Sequence, residues 1–533
     1  MMIVLAGYIP YSNVLNASFV FDDFPNIVTN PAVKSLSNFL PGGIVWSQIP
    51  TRFIGYLSFA LNYRFGGLDV SGYHLTNIFL HIVNALLVYA LAFLVQTTPG
   101  FLQGKETHPS KGLPVLCALL FAVHPVQTQA VSYIVQRFAS LATMFYLGAV
   151  VAFIKARLTM KGVREGEGGG PVPWYVVSLG CALLAMKTKE IAFTLPAVVA
   201  LAEASFFRGD WRKRLALVFP YLMVAMVIPL SLISTEQPLG KILSDASEKT
   251  HLETDLTRVS YLLTQFRVIA TYFRLLLFPA NQNLDYDFPA SGSLLDPQVL
   301  LSLLLLLLLL GAAVFLFVKS RAEGDGRFRL AAFGIIWFFA ALAVESSVIP
   351  IADVIFEHRV YLPSVGAFVS LASLASLAFG HVGTPKKNIL AVILSGFIVI
   401  ALAGATYSRN RVWQANLVLW EDVAVKSPGK ARPHYNLGVA YEEKGRFREA
   451  IVQYRTALEI RRGYHEAQNN LGVLYAKTGW IDNAIRHFEA AVELEPGDAG
   501  YRINLSQAYS IKGYPEKAKE QKMLAERLSS VPK

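Results

Sequence analysis

The sequence predicts an all-α membrane protein in two parts, a polytopic helical domain over residues 1–408 and an α-solenoid over 409–533. Three observations carry this. Of the 533 residues, 54% are hydrophobic and 16% charged, against roughly 25% charged in a soluble domain; mean hydropathy is +0.43. Apolar runs of about 17–25 residues, long enough to cross a bilayer, recur until about residue 407. Beyond them the chain turns charged and repeats itself every 34 residues.

Candidate spans fall near residues 3–20, 74–95, 113–128, 138–156, 173–188, 190–207, 215–234, 297–318, 330–348, 360–380 and 388–407, about eleven in all. The N-terminus lacks a basic leader and a small-residue cleavage site, so it reads as a span rather than a signal peptide. Cys117 and Cys181 both sit in apolar segments, and no disulfide framework or cysteine metal cluster follows from them. The net charge of +11 is concentrated in short loops, a membrane-orientation pattern rather than a nucleic-acid-binding one.

Those loops set the expected topology. Lys155, Arg157, Lys161 and Arg164 form one basic group, and Arg208, Arg212, Lys213 and Arg214 a second. Lys319, Arg321, Arg327 and Arg329 form a third, and Lys386 with Lys387 a fourth. All four lie in the cytoplasm if the segment 259–278 does not cross. That segment carries Arg267 and Arg274, and an arginine in mid-span costs about 2.5–3.5 kcal/mol on insertion scales. It is therefore expected to be an interfacial or re-entrant helix. The N-terminus is then inside and the C-terminus outside.

In the last part, Asn436-Leu437-Gly438 recurs as Asn470-Leu471-Gly472 and as Asn504-Leu505-Ser506, with offsets of 34. Tyr441, Tyr475 and Tyr509 keep the register, as do Gly445, Gly479 and Gly513. This is the tetratricopeptide pattern, about three repeats of it, and such arrays present concave recognition surfaces. A purely structural cap on the membrane domain is the competing reading.

On this topology the unusual polar residues collect in the outer connections. The first outer loop, in FVFDDFPNIVTN and beyond, holds Asp22, Asp23, Asn26 and Arg52. His74 and His81 follow, seven apart, as packing histidines or a metal pair. HPVQTQAVSYIVQR supplies His124, Gln127, Gln129 and Arg137; KTKE supplies Lys187, Lys189 and Glu190. The connection around EHRVYLP supplies Asp353, Glu357, His358 and Arg359. Each has a bland alternative: acids marking a span end, lysines snorkelling, Glu357 and Arg359 forming a structural network. The acids of Asp285-Tyr286-Asp287 are too few to define a metal site. Together, though, acids, cations and amides at one water–membrane boundary suit chemistry on a lipid-linked phosphate. A carboxylate takes a proton from the acceptor, and Arg and Lys hold the leaving phosphate.

The motifs FVFDDFPNIVTN, SGYHLTNIFLHIVNALL, HPVQTQAVSYIVQR, KTKE and EHRVYLP, in that order and followed by tetratricopeptide repeats, resemble the transmembrane-and-tetratricopeptide O-mannosyltransferase-like family and its bacterial relatives, within the GT-C superfamily of glycosyltransferases. The resemblance covers essentially the whole chain. It implies a GT-C fold and a polyprenyl-phosphate sugar donor, a substrate rather than a cofactor; a divalent metal is left open, with no residue assigned to one. It also implies that the acidic pair, here Asp22 and Asp23, is catalytic; Asp23 is slightly favoured as the base. Arg52 is followed by Phe53 rather than the Pro usual in the family. Arg137, Lys189, Arg359 and Arg52 are expected to bind the donor phosphate, with His74, His124, Gln127, Glu190 and Glu357 supporting. The few repeats look bacterial, which implies an inner-membrane protein with a cytoplasmic N-terminus and periplasmic repeats. The expected reaction moves a sugar, mannose being one candidate, to a Ser or Thr of an exported protein docked on the repeats. A lipid or glycan acceptor and a non-catalytic membrane scaffold are the alternatives.

Overall fold

The structure, a computed structural model, describes residues 1–45, 52–103, 109–160, 170–233, 256–346, 350–351, 353–380 and 385–530. The expected basic residues Lys161 and Arg164 lie outside the described residues. The described residues are helical, without strands. By contact the chain divides into two units: Met1–Leu284 with Phe288–Gln414, and Asp285–Asp287 with Ala415–Lys533. The first runs past residue 408 because Asn410 and Trp413 belong to its core. Asn410 Nδ2 donates to the Pro10 carbonyl at 2.8 Å and its Oδ1 accepts from Ser132 Oγ at 2.6 Å.

The first unit comprises α1 (Met2–Tyr8), α2 (Phe53–Gly66), α3 (Val70–Val95), α4 (Gly112–Val123), α5 (Arg137–Met160), α6 (Pro171–Met186), α7 (Leu195–Phe206), α8 (Trp211–Ala225), α9 (Arg258–Leu277), α10 (Pro297–Glu323), α11 (Gly326–Leu342), α12 (Tyr361–Gly380) and α13 (Pro385–Asn410). Among the described residues six stretches are long and apolar enough to span a membrane: Val70–Val95, Ile134–Met160, Trp211–Ser231, Pro297–Glu323, Glu357–Phe379 and Ile389–Trp413. This is a multi-pass membrane protein. The other five expected spans are helical but short, from 7 residues in α1 to 17 in α11. The run 113–128 is broken at Pro125, which offers no N–H to continue the ladder; Gly112–Val123 and Pro125–Ser132 meet at 52°. The segment around Arg267 and Arg274 forms α9, outside the six. Arg267 caps the Pro289 carbonyl at 2.9 Å and Arg274 that of Ala280 at 2.8 Å.

Lipid-side and core-side helices separate by composition. α10 and α13 expose leucines, isoleucines and phenylalanines along most of their length, such as Leu301, Leu308, Phe315, Phe397 and Ile400. α3 instead buries Asn77, His81 and Asn84 against carbonyls of neighbouring segments, as apolar solvent demands of internal polar groups. α7 packs on α11 through Phe206 and Phe333, whose rings are 5.0 Å apart.

The second unit pairs α15 (Ala431–Glu443) with α16 (Phe447–Ile460), α17 (His465–Lys477) with α18 (Ile481–Leu494) and α19 (Ala499–Lys512) with α20 (Pro515–Ser530), after α14 (Asn416–Lys426). The repeating small residue has a steric cause. A Cβ on Gly438 would sit 2.5 Å from the Tyr454 ring, and one on Gly472 2.8 Å from Phe488. Gly445, Gly479 and Gly513 end the first helix of each pair at φ of +72°, +84° and +86°. Asp285, 1% exposed, is an ion-pair anchor for Lys430 and Arg432, the latter at 2.6 Å.

Candidate active site

The site begins at a strained turn. Phe21 adopts φ +46°, the left-handed region that a bulky residue avoids unless its surroundings impose it. The turn sends the two acids in different directions. Asp23 is fully buried and its carboxylate accepts from the backbone N–H of Val20 at 2.9 Å and of Val135 at 2.7 Å. It ties the first loop to the segment leading into α5. Burial pushes its carboxyl up to about 8, and Asp22 adds to this; the Val20 and Val135 N–H groups and Arg137 favour the ionised form. Asp22 is fixed by its backbone: its N–H donates to Tyr133 Oη and its carbonyl accepts from Asn26 Nδ2, both at 2.8 Å. Tyr133 in turn stacks on Trp413, with ring centroids 5.6 Å apart.

Asp22 lines a cavity of about 350 Å³ together with Asn26, Arg52, Lys189, Glu190, Glu345, His358 and Arg359. These come from the first loop, the turn before α2, the α6–α7 connection, the end of α11 and the start of α12. Arg52 grips Glu190 bidentately at 3.1 and 3.2 Å, both side chains more than a third exposed. Lys189 Nζ meets Glu345 Oε1 at 2.9 Å, with side chains 9% and 13% exposed. The guanidinium of Arg359 donates to the carbonyls of Asp353 at 2.8 Å and Val354 at 3.2 Å. His358 stacks on Phe356, its N–H donates to Gln129 Oε1 at 2.6 Å, and its buried Nδ1 has no partner.

Several expected site residues lie elsewhere. Arg137, expected on the donor phosphate, does not line the cavity. It is fully buried and donates to Asn77 Oδ1 at 2.7 Å, Asn62 Oδ1 at 2.5 Å and the carbonyls of Ser58 and Tyr73, with Phe59 4.5 Å beneath. That leaves little donor capacity for a ligand, so its role is to lock α2, α3 and α5 together. His74 bonds the Ala17 carbonyl at 3.0 Å, His124 that of Leu276 at 3.1 Å, and Gln127 reaches Ser364 Oγ at 2.8 Å. Glu357 accepts from Gln282 Nε2 and the Asn283 N–H, both at 2.7 Å, and so anchors a loop. Of the two acids, Asp22 lines the cavity and Asp23, the one slightly favoured as the base, does not. Sequence reasoning missed Glu345; its signal was a lone acid closing an apolar run, opposite a lysine. Among the described residues no group of three or more His, Cys, Asp and Glu side chains is arranged to hold a metal.

Comparison with known proteins bears on both units. Residues 440–479 match the family described as TPR repeat and residues 465–498 the Tetratricopeptide repeat family. The Caenorhabditis elegans Protein O-mannosyl-transferase F38B6.6 is 27% identical over 484 residues, covering 87% of this chain and 63% of that protein. Human Protein O-mannosyl-transferase TMTC4 is 25% identical, covering 83% and 64%. Drosophila melanogaster Protein O-mannosyl-transferase Tmtc1 is 31% identical over 208 residues, 37% of this chain and 22% of that one. The chain thus spans somewhat under two thirds of the first two of these relatives. The apo crystal structure of the Archaeoglobus fulgidus oligosaccharyltransferase aligns with a TM-score of 0.44 at 14% identity, over 77% of this chain and 55% of that one, a likeness too weak to carry an argument. Over most of its length this chain is a homologue of the TMTC-type proteins named protein O-mannosyl-transferases, and it carries tetratricopeptide repeats.

Proposed function

We propose that this chain is an integral-membrane glycosyltransferase that moves a sugar, mannose first among candidates, from a polyprenyl-phosphate donor to a Ser or Thr hydroxyl of an exported protein. The observation that carries the proposal is one cavity holding Asp22 beside Arg52, Lys189 and Arg359. The names of the relatives support the sugar and the protein acceptor.

The chemistry follows from charge. The acceptor oxygen bonds to the anomeric carbon, the bond from that carbon to the phosphate oxygen breaks, and polyprenyl phosphate leaves. Asp22 takes the hydroxyl proton as the new bond forms. Arg359 is the primary clamp on the leaving phosphate: the carbonyls of Asp353 and Val354 orient its guanidinium, and Glu345 and Asp353 are the carboxylates nearby that a phosphate must compete with. Arg52 is the exchangeable cation: its pair with Glu190 is half open to solvent, so a phosphate replaces the carboxylate at small cost. The orphan Nδ1 of His358 is a further site for a ligand proton donor or acceptor. The cavity faces the periplasm, since the basic loops lie at the other ends of α7 and α11. The repeats dock the acceptor, raising its local concentration without taking part in the chemistry.

The test is transfer by the full-length protein in proteoliposomes, with synthetic polyprenyl-phosphate mannose and a Ser/Thr-rich peptide. Labelled peptide is expected with wild type and not with Asp22→Asn. Equal transfer by the two, or peptide left unlabelled by wild type while a glycan acceptor is labelled, would reject the proposal as stated.

A further inference from the structure

α7 and α11 each run from the Asp22 cavity to a second charged cavity at their other ends. This one measures about 570 Å³ and is lined by Arg208, Arg214, Arg321 and Arg329 with Gln103 and Phe317. α11 has 17 residues, about 26 Å at about 1.5 Å per residue. That nearly equals the roughly 30 Å hydrocarbon thickness of a bilayer. The two cavities therefore open at opposite membrane boundaries.

The second cavity is built rather than incidental. The segments around it are packed tightly at two glycines. A Cβ on Gly100 would come within 2.5 Å of the Phe206 Cα, and one on Gly326 within 2.2 Å of the Phe101 carbonyl oxygen. Arg329 is 6% exposed, and among the described residues only neutral oxygens hold it: the carbonyls of Gly100 at 2.9 Å and Ser205 at 3.3 Å, and Ser320 Oγ at 3.3 Å. Arg321 and Arg329 lie over Phe317 at 4.9 and 5.2 Å. Arg214 reaches Glu203 at 3.2 Å, but that carboxylate is 2% exposed and already gripped by Arg157 at 2.7 and 2.8 Å. A buried cation with no opposite charge is costly, and an anionic ligand removes the cost. The bearing helices expose Trp211 and Leu215 on one side and Phe315 and Val318 on the other, apolar surface that meets acyl chains.

We propose that this cavity holds the phosphate of an anionic phospholipid headgroup, at the membrane boundary opposite the Asp22 cavity. Arg329 is the fixed contact, and Arg208 and Arg321 close over the headgroup from the rim. The proposal does not depend on the transfer chemistry.

Native mass spectrometry of the full-length protein, titrated with phosphatidylglycerol, phosphatidylcholine and inorganic phosphate, tests it. Phosphatidylglycerol is expected to bind wild type more than about tenfold tighter than phosphatidylcholine. Arg321→Ala and Arg208→Ala should each weaken it about fivefold, the factor matching one juxtamembrane cation near an anionic lipid, with phosphatidylcholine unaffected. Among the described residues Arg321 contacts the Phe317 ring face alone, so its truncation decides the matter even if Arg208→Ala fails to fold. Equal binding of the two lipids, or an unchanged preference in Arg321→Ala, overturns the proposal. Inorganic phosphate displacing phosphatidylglycerol at equal concentration overturns the lipid source and assigns the site to a soluble anion.

Discussion

The two charged cavities share α7 and α11 and handle charge in opposite ways. In the Asp22 cavity Arg52 and Lys189 each have their own carboxylate, Glu190 and Glu345. In the opposite cavity Arg208, Arg214, Arg321 and Arg329 gather near one buried glutamate that Arg157 also holds. A compensated site can admit an anion and release it, because its own carboxylates return when the anion departs. A site in which Arg329 meets only neutral oxygens among the described residues favours a resident anion. Transient occupancy suits a substrate, and lasting occupancy suits a structural lipid.

The sharpest way to break this contrast is through the acids. Asp22→Asn should lower transfer by about 10²–10⁴, the usual loss on removing a general base, with folding intact. Asp23→Asn should act mainly on stability, since Asp23 holds two backbone N–H groups and does not line the Asp22 cavity; a purified, well-folded Asp23→Asn protein with the larger rate loss would reverse the roles. Next come the cations. Arg359→Lys should impair donor use nearly as much as Arg359→Ala, because a lysine cannot make a bidentate clamp. Donor kinetics unchanged in both, with a lowered Tm, would make Arg359 structural. The carboxylates follow. Glu345→Gln leaves Lys189 buried and unpaired and should cost about 3 kcal/mol, whereas Glu190→Gln should cost less than about 1 kcal/mol at the exposed pair. Denaturant titration of the two variants reads this order directly, and equal losses would mean that exposure does not separate the pairs.

The last effect is on pH dependence. Asp23 has a folded-state value near 8 against about 3.9 unfolded. Its contribution is therefore fully present below about pH 4 and is lost as pH rises towards 8. The Tm of wild type relative to Asp23→Asn should fall across that window. A rise instead would show that the Val20 and Val135 N–H groups, which favour the carboxylate, outweigh burial.

Sequence alone made the repeats legible, because a steric need recurs at a fixed spacing: Gly438 and Gly472 sit under aromatic rings that tolerate no Cβ. The meeting of the first loop, KTKE and EHRVYLP was also legible, since charges leaving apolar runs collect at the same boundary. What each charge faces was not. Asp22 and Asp23 are adjacent and chemically alike, and only the left-handed turn at Phe21 separates a cavity wall from a buried staple. Arg137 looked like Arg359 in sequence, but Asn62 and Asn77 on other helices had already engaged it. Span lengths were overread because hydropathy does not register where a helix stops, as at Pro125.

The short helices have a consequence for the lipid around the protein. α6 has 16 residues, about 24 Å long, and exposes Val172, Trp174, Val176, Val177 and Leu183. α10, at 27 residues, is long enough to cross with tilt to spare. A bilayer that matches α10 is several ångströms too thick beside α6, so it must thin there, at a cost of fractions of a kcal/mol per ångström. The bilayer is then thinner beside α6 than beside α10. Beside α6, headgroups of both leaflets are drawn inward, and any lipid phosphate there has less hydrocarbon to cross before it meets a cation. Hydrophobic mismatch then acts as a funnel, and its strength depends on the chain length of the surrounding lipids.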